Sequence, residues 1–215
     1  MPEGLSLDRV ILRREGQMLL RISATVPPGK VLTVMGPSGV GKSTLLAFVM
    51  GDLPRGFAGE GGVRLDGRDL AGLPPEARHI GILYQDPLLF PHLDVAANLA
   101  FGLPRGGTRV ARRTIVADAM AEIGLEGYGR RDPATLSGGQ AARVALMRTL
   151  LSAPRALLLD EPFAKLDAAL REQMRRLVFD RARDAGIPIL MVTHDAADAA
   201  AACGEVVHLD GEHQH

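Results

Sequence analysis

The nine residues Gly36-Pro37-Ser38-Gly39-Val40-Gly41-Lys42-Ser43-Thr44 constrain the fold of this chain more than any other stretch. They fit G-x-x-x-x-G-K-[ST], and their flanks suit that pattern. Val31 to Met35 reads as a buried strand before the loop, and Leu45 to Met50 continues as a helix after it. The glycines let backbone N–H groups close around phosphate, Lys42 supplies a point charge, and the Ser43 hydroxyl can hold Mg²⁺. Lys30, Lys42 and Lys165 are the only lysines in a chain otherwise basic through arginine. A compact ammonium suits this role, and a guanidinium fits it badly.

A second anion site follows about a hundred residues later. Leu136-Ser137-Gly138-Gly139-Gln140 opens a long apolar-periodic segment and reads as a helix N-terminus stripped of side chains, with Ser137 as its cap. Bare N–H groups and the positive end of the helix dipole attract an anion there.

Leu157-Leu158-Leu159-Asp160-Glu161-Pro162 places two carboxylates at the carboxyl end of a buried strand, the edge at which open α/β sheets bind ligands. Asp160 is placed to hold Mg²⁺, directly or through water. Glu161 can point elsewhere, toward an attacking water, as general base. Thr193-His194-Asp195 ends another apolar run in the same way, so His194 is read as a γ-phosphate contact. Gln85 ends the run Ile80–Tyr84 and could touch Mg²⁺ or water.

The remaining organisation is that of an α/β nucleotide-binding core with an inserted helical subdomain. Residues 5–35 alternate and pause like antiparallel strands, with Pro27-Pro28-Gly29 as a turn and Gly59 to Gly67 as a hairpin region. Residues 87–151 are mostly helical: Ile115, Ala119 and Ile123 share a face, Val116 and Met120 lie beside it, and Gly124 is a stop. Ala156–Leu159 and Ile189–Val192 are buried strands, and Leu166, Leu170, Met174, Leu177 and Val178 form a helical stripe ending at Gly186. The formal net charge of zero argues against a broad nucleic-acid surface. One cysteine, Cys203, excludes an internal disulfide and fits a reducing compartment. No apolar run is long enough to cross a membrane, and Met1-Pro2-Glu3-Gly4 lacks the regions of a signal peptide. His213-Gln214-His215 reads as a tail, too sparse for a metal tract.

In this order and spacing the motifs resemble the ATP-binding subunit of an ABC transporter, from about Leu5 to Leu209. Gly36–Thr44 resembles the Walker A loop, Gln85 the Q-loop, Leu136–Gln140 the signature, Leu157–Glu161 Walker B, Lys165-Leu166-Asp167 the D-loop and His194 the H-loop switch. The resemblance implies a single ATPase domain over 1–215, a P-loop NTPase core (about 1–86 and 152–215) with an antiparallel β subdomain and a helical subdomain over about 87–151. It implies a homodimer paired head to tail across ATP, in which Ser137, Gly138, Gly139 and Gln140, with Asp167, complete the partner's nucleotide site.

The stretch from Tyr84 to Leu103 and the run Arg131–Thr135 resemble importers of the polyamine, iron, thiamine, sulfate or molybdate type. Leu88, Leu89, Phe90 and Leu93 would then receive a coupling helix of the membrane permease. A periplasmic or extracellular solute-binding protein and a place on the cytoplasmic face of the membrane are implied as well. An exporter or lipoprotein-release ATPase, and a non-transport ABC ATPase, are the alternatives. Two features depart from the family. No aromatic precedes the Walker A loop to stack on adenine, which leaves Arg14 as the stacking surrogate. The sequence ends soon after Val206–Gly211, so no C-terminal regulatory domain is expected.

Overall fold

The computed structural model of the 215-residue chain describes residues 3–209; His213–His215 and the extreme N-terminus lie outside the described residues. Along the chain come β1 (Leu5–Arg14), β2 (Gln17–Val26), β3 (Val31–Met35), α1 (Lys42–Met50), β4 (Phe57–Leu65), β5 (Arg68–Asp69), β6 (Ile80–Leu83), α2 (Val95–Gly102), α3 (Arg109–Glu122), α4 (Gly138–Leu151), β7 (Ala156–Asp160), α5 (Ala168–Asp184), β8 (Ile189–Val192), α6 (Ala196–Ala202) and β9 (Glu205–His208). They form two compact units. One takes the chain up to Ile82, Arg155–Glu161 and the chain from Phe179; the other takes Leu83–Pro154 and Pro162–Val178.

The first unit contains two sheets. An antiparallel sheet has the order β2-β1-β4-β5. In β1 the buried positions run Leu5, Leu7, Val10, Leu12, so the two-residue alternation slips once. The slip is a bulge at Asp8–Val10, where the register against both neighbours shifts and Arg9 adopts φ 47°. Opposite the bulge is Gly61, whose added Cβ would lie 2.7 Å from the Asp8 carbonyl oxygen. The expected turn at Pro27-Pro28-Gly29 forms, with Lys30 N–H donating to the Pro27 carbonyl (3.1 Å) and Gly29 at φ 69°.

The second sheet has the order β6-β7-β8-β3-β9. β3 pairs in parallel with β8 and β9, and β7 with β8. All residues of β7 and β8 are buried, as befits strands of a parallel sheet covered on both faces. The strand ends are level. Asp160 stands opposite Val192, Glu161 N–H donates to the Val192 carbonyl (3.0 Å), and Thr193 N–H donates to that of Val34 (3.2 Å). β6 ends at Leu83, one residue short of the expected Tyr84, which is exposed.

A buried guanidinium fixes α1. Arg78 donates to the carbonyls of Val49 (2.8 Å), Phe48 (3.4 Å) and Leu73 (2.9 Å). Two of these are end-of-helix carbonyls, which need an outside donor. Burial lowers the Arg78 pKa from its usual value. Beside it Gly51 closes α1 in the left-handed region (φ 83°), and a Cβ there would overlap the guanidinium.

In the second unit α2 packs against α3 and α4. α3 buries Val116, Ala119 and Ile123, whereas Ile115 is 43% exposed. The expected face was therefore set slightly too far toward Ile115: rows spaced i, i+3, i+7 from Val116 point inward, and a position one residue earlier is rotated by about 100°. Gly124 (φ 62°) ends the helix as expected, with its N–H on the Ala121 carbonyl (3.0 Å) and Leu125 N–H on that of Met120 (2.8 Å). The irregular segment before α2 is stapled from within. Buried Asn98 accepts from Phe90 N–H (2.9 Å) and donates to the carbonyls of Phe90 (3.1 Å), Leu93 (3.0 Å) and Asp94 (3.1 Å). Arg148 of α4 donates to the Leu88 carbonyl (3.1 Å) and lies over the Phe90 ring, 4.9 Å from its centroid.

Replacing Gly51 by alanine should destabilise the protein by about 2–4 kcal/mol, because it adds a left-handed strain to displacement of a buried, hydrogen-bonded charge. Urea unfolding of the two proteins measures this, with the midpoint falling and the slope unchanged.

Candidate active site

The level ends of β3, β7 and β8 bring together the phosphate loop, Asp160, Glu161 and Thr193-His194 in the first unit. The loop residues Pro37, Ser38 and Gly39 are exposed. Gly36 sits tightly: a Cβ would come within 2.7 Å of the Leu209 carbonyl oxygen. Gly41 (φ 100°) is the N-cap of α1, and the first turn, Lys42-Ser43-Thr44, contains no carboxylate. The opening N–H groups of α1 thus keep the helix's positive end unneutralised by any side chain of that turn. Lys42 Nζ donates to the carbonyls of Gly36 (2.7 Å) and Pro37 (2.9 Å). An ammonium has three donors, so the lysine ties the loop and retains one for a phosphate oxygen.

Beneath the loop, the Ser43 hydroxyl is hydrogen-bonded to Asp160. Burial pushes the Asp160 carboxyl above the usual carboxylate range; the Ser43 bond pulls it back, the Glu161 charge raises it further and Lys42 lowers it. The pair offers only oxygen atoms, the ligand type that Mg²⁺ takes alongside substrate phosphates. Among the described residues no three His, Cys, Asp or Glu side chains converge as a self-sufficient metal cage.

Glu161 is held in a strained backbone conformation, φ 47°. Its Oε1 accepts from His194 N–H (3.1 Å) and contacts His194 Nδ1 (2.7 Å); its Oε2 accepts from the Thr193 hydroxyl (3.1 Å). The carboxylate is 10% exposed and His194 72%. Thr193 also accepts from Asp195 N–H (3.0 Å). Sequence reading assigned no role to Thr193, although its place between a buried strand and His194 carried the signal. Arg14 stands at the end of β1 opposite Phe57 of β4, with its guanidinium 5.6 Å from the centre of that ring. Phe57 escaped notice because its pairing with Arg14 spans more than forty residues.

The remaining expected residues belong to the second unit. Gln85 is exposed just after β6. Ser137 caps α4 as expected, accepting from Gln140 N–H (3.3 Å), and Gln140 Oε1 accepts from Ser137 N–H (2.9 Å). This reciprocal box commits the Gln140 carbonyl to the helix start and leaves Gly138 and Gly139 as the bare part of the turn. Asp167 Oδ1 accepts from Leu170 N–H (3.0 Å) at the start of α5.

Thr193→Val should lower stability by about 1–3 kcal/mol, since a nearly buried carboxylate oxygen loses its donor. Thr193→Ser should retain most of it; thermal unfolding of both variants checks the difference.

Comparison with known proteins agrees with this geometry. Residues 19–164 match the ABC transporter family. Over 92% of this chain and 91% of its own length, the ABC transporter ATP-binding protein YnjD of Escherichia coli is 49% identical. The thiamine import ATP-binding protein ThiQ of Cereibacter sphaeroides is 45% identical over 91% of this chain and 83% of its own. The ATP-binding cassette MJ0796, solved as a dimer in a post-hydrolysis state with ADP and phosphate, superposes with a TM-score of 0.82 at 29% identity, covering 96% of this chain and 94% of that one. With its phosphate loop, paired carboxylates and bare-glycine helix start in family order, the chain is an ATP-hydrolysing member of the ABC transporter family.

Proposed function

We propose that this ATPase powers import of a solute through a membrane permease, as a head-to-tail dimer with two composite ATP sites. The observation that carries the catalytic part is the Glu161 carboxylate at the end of β7, gripped by Thr193 and His194 beside the Ser43–Asp160 pair. Lys42 and the opening N–H groups of α1 bind phosphate, and Glu161 takes the proton of the attacking water. Ser43 and Asp160 would hold Mg²⁺, with Gln85 as a further oxygen ligand; bound there, the ion neutralises charge on the phosphate oxygens. With Glu161 ionised, the Nδ1 proton of His194 lies on Glu161, so its Nε2 is the ring atom left for the γ-phosphate. Arg14 offers a guanidinium plane to the base, braced by Phe57.

Ser137, Gly138 and Gly139 serve a nucleotide bound by a second copy, with Gln140 shaping their turn and Asp167 beside them in sequence. The dimeric cassette MJ0796 supports this arrangement. Importer relatives such as ThiQ support the direction of transport. A cleft of about 660 Å³ between α2 and α3, floored by Ala96, Ala100, Val116 and Met120 and bordered by Arg109 and Arg113, supports docking of a permease helix. Leu88 (59% exposed) adds apolar surface from the stapled segment. Among the described residues no helix is long and apolar enough to cross a membrane, and we place the protein at the cytoplasmic face, held by its permease, with a solute-binding protein on the other side. The domain reading is one ATPase domain whose helical subdomain covers about 87–151.

Glu161→Gln should cut steady-state phosphate release by about a hundredfold or more and trap an ATP-bound dimer visible by gel filtration. Unchanged turnover would overturn the role of Glu161. Gly139→Asp should abolish hydrolysis while the monomer binds ATP as before; loss of binding by the monomer would overturn the cross-subunit assignment.

A further inference from the structure

Lys165 breaks a local electrostatic rule. It lies in the segment between β7 and α5, anchored by buried Phe163 and Leu166, with Leu166 N–H on the Phe163 carbonyl (3.1 Å). That segment rests on the first turn of α4. A Cβ on Gly139 would come within 3.2 Å of the Lys165 carbonyl oxygen, and one on Gly138 within 4.0 Å of Lys165 Cδ. An ammonium stem therefore runs past the positive end of a helix, where cations are disfavoured and anions favoured. Its charge is met by Asp86, the residue after Gln85: Nζ lies 2.7 Å from Asp86 Oδ1. The Asp86 side chain is 79% exposed and that of Lys165 36%, so the pair itself contributes little to stability.

We propose that Lys165 is a phosphate-binding cation of the composite site, held by Asp86 until a nucleotide on a second copy reaches the α4 turn. The singly charged carboxylate is a placeholder. A terminal phosphoryl group carries more negative charge and meets the bare N–H groups of Gly138 and Gly139 as well as the ammonium, so it takes Lys165 from Asp86. The exchange also releases Asp86 and, with it, the segment that follows Gln85. Nucleotide arrival at one copy is thereby reported to the docking segment of the other. The inference rests on the cross-subunit reading given above, which places the α4 turn against the partner's ATP.

The test uses the full chain in the Glu161→Gln background, reading the ATP concentration that half-converts monomer to dimer in sedimentation velocity, with binding of a fluorescent ATP analogue to the dilute monomer alongside. Lys165→Met should raise the ATP requirement about tenfold, the loss of one charge-assisted hydrogen bond, without changing binding by the monomer. Asp86→Asn, which removes the placeholder and leaves the cation, should lower the requirement. A merely structural ion pair predicts that both changes weaken the dimer alike, and that result overturns the proposal, as does a Lys165→Met dimer that forms at the unaltered ATP concentration. Gly139→Asp separates the two readings. If it abolishes the dimer while Lys165→Met has no effect, the cross-subunit reading stands and the role of Lys165 falls. If it too dimerises normally, the composite site itself is wrong.

Discussion

Parallel pairing of β8 with both β3 and β7 is the constraint on which the rest of the site depends. Parallel strands point the same way, so three chain segments distant in sequence must leave the sheet at one edge. Complete burial of β7 and β8 fixes their register, because a slip of one residue would exchange the two faces of each strand. The polar groups that follow have no freedom to choose another place. Asp160, Glu161 and Thr193 become neighbours because the strands before them are apolar throughout.

At that edge the local chemistry is deliberately unfavourable. Asp160 is buried enough to resist ionisation, Glu161 has a left-handed backbone, and α1 starts with no acidic residue in its first turn. Each departure is small beside the sheet that enforces it, and each is relieved or used when phosphate and a cation bind. The second anion turn is built differently. α4 is closed by the Ser137–Gln140 box, so that turn is stable by itself and its two glycines are spared from capping. One helix start waits for its ligand to complete it, and the other is complete before its ligand comes.

Much of this was legible in the sequence because the signals were local. The apolar runs of β3, β7 and β8, the stop at Gly124 and the Ser137 cap each depend on a few adjacent residues, and they appear where the pattern put them. Ile115 was misplaced because helical rows drift, and a face read from three residues can be one position out of phase. The partners of Arg14, Arg78 and Asp86 were illegible for another reason. Phe57, Val49 and Lys165 reach them only through the fold, and nothing in the spacing marks such pairs. Thr193 lay between: its position was visible, but its hold on Glu161 needed the register of β7 against β8.

The Asn98 staple has a consequence for association kinetics. It and Arg148 satisfy the backbone of residues 88–94 from inside the unit, so this irregular segment has its shape fixed without help from a partner. A docking helix then meets a surface whose loop entropy was already spent during folding, and little of the binding free energy goes into ordering it. A rigid surface of this kind also transmits force. A displacement of the segment is passed on as movement of the bound helix rather than dissipated as local rearrangement.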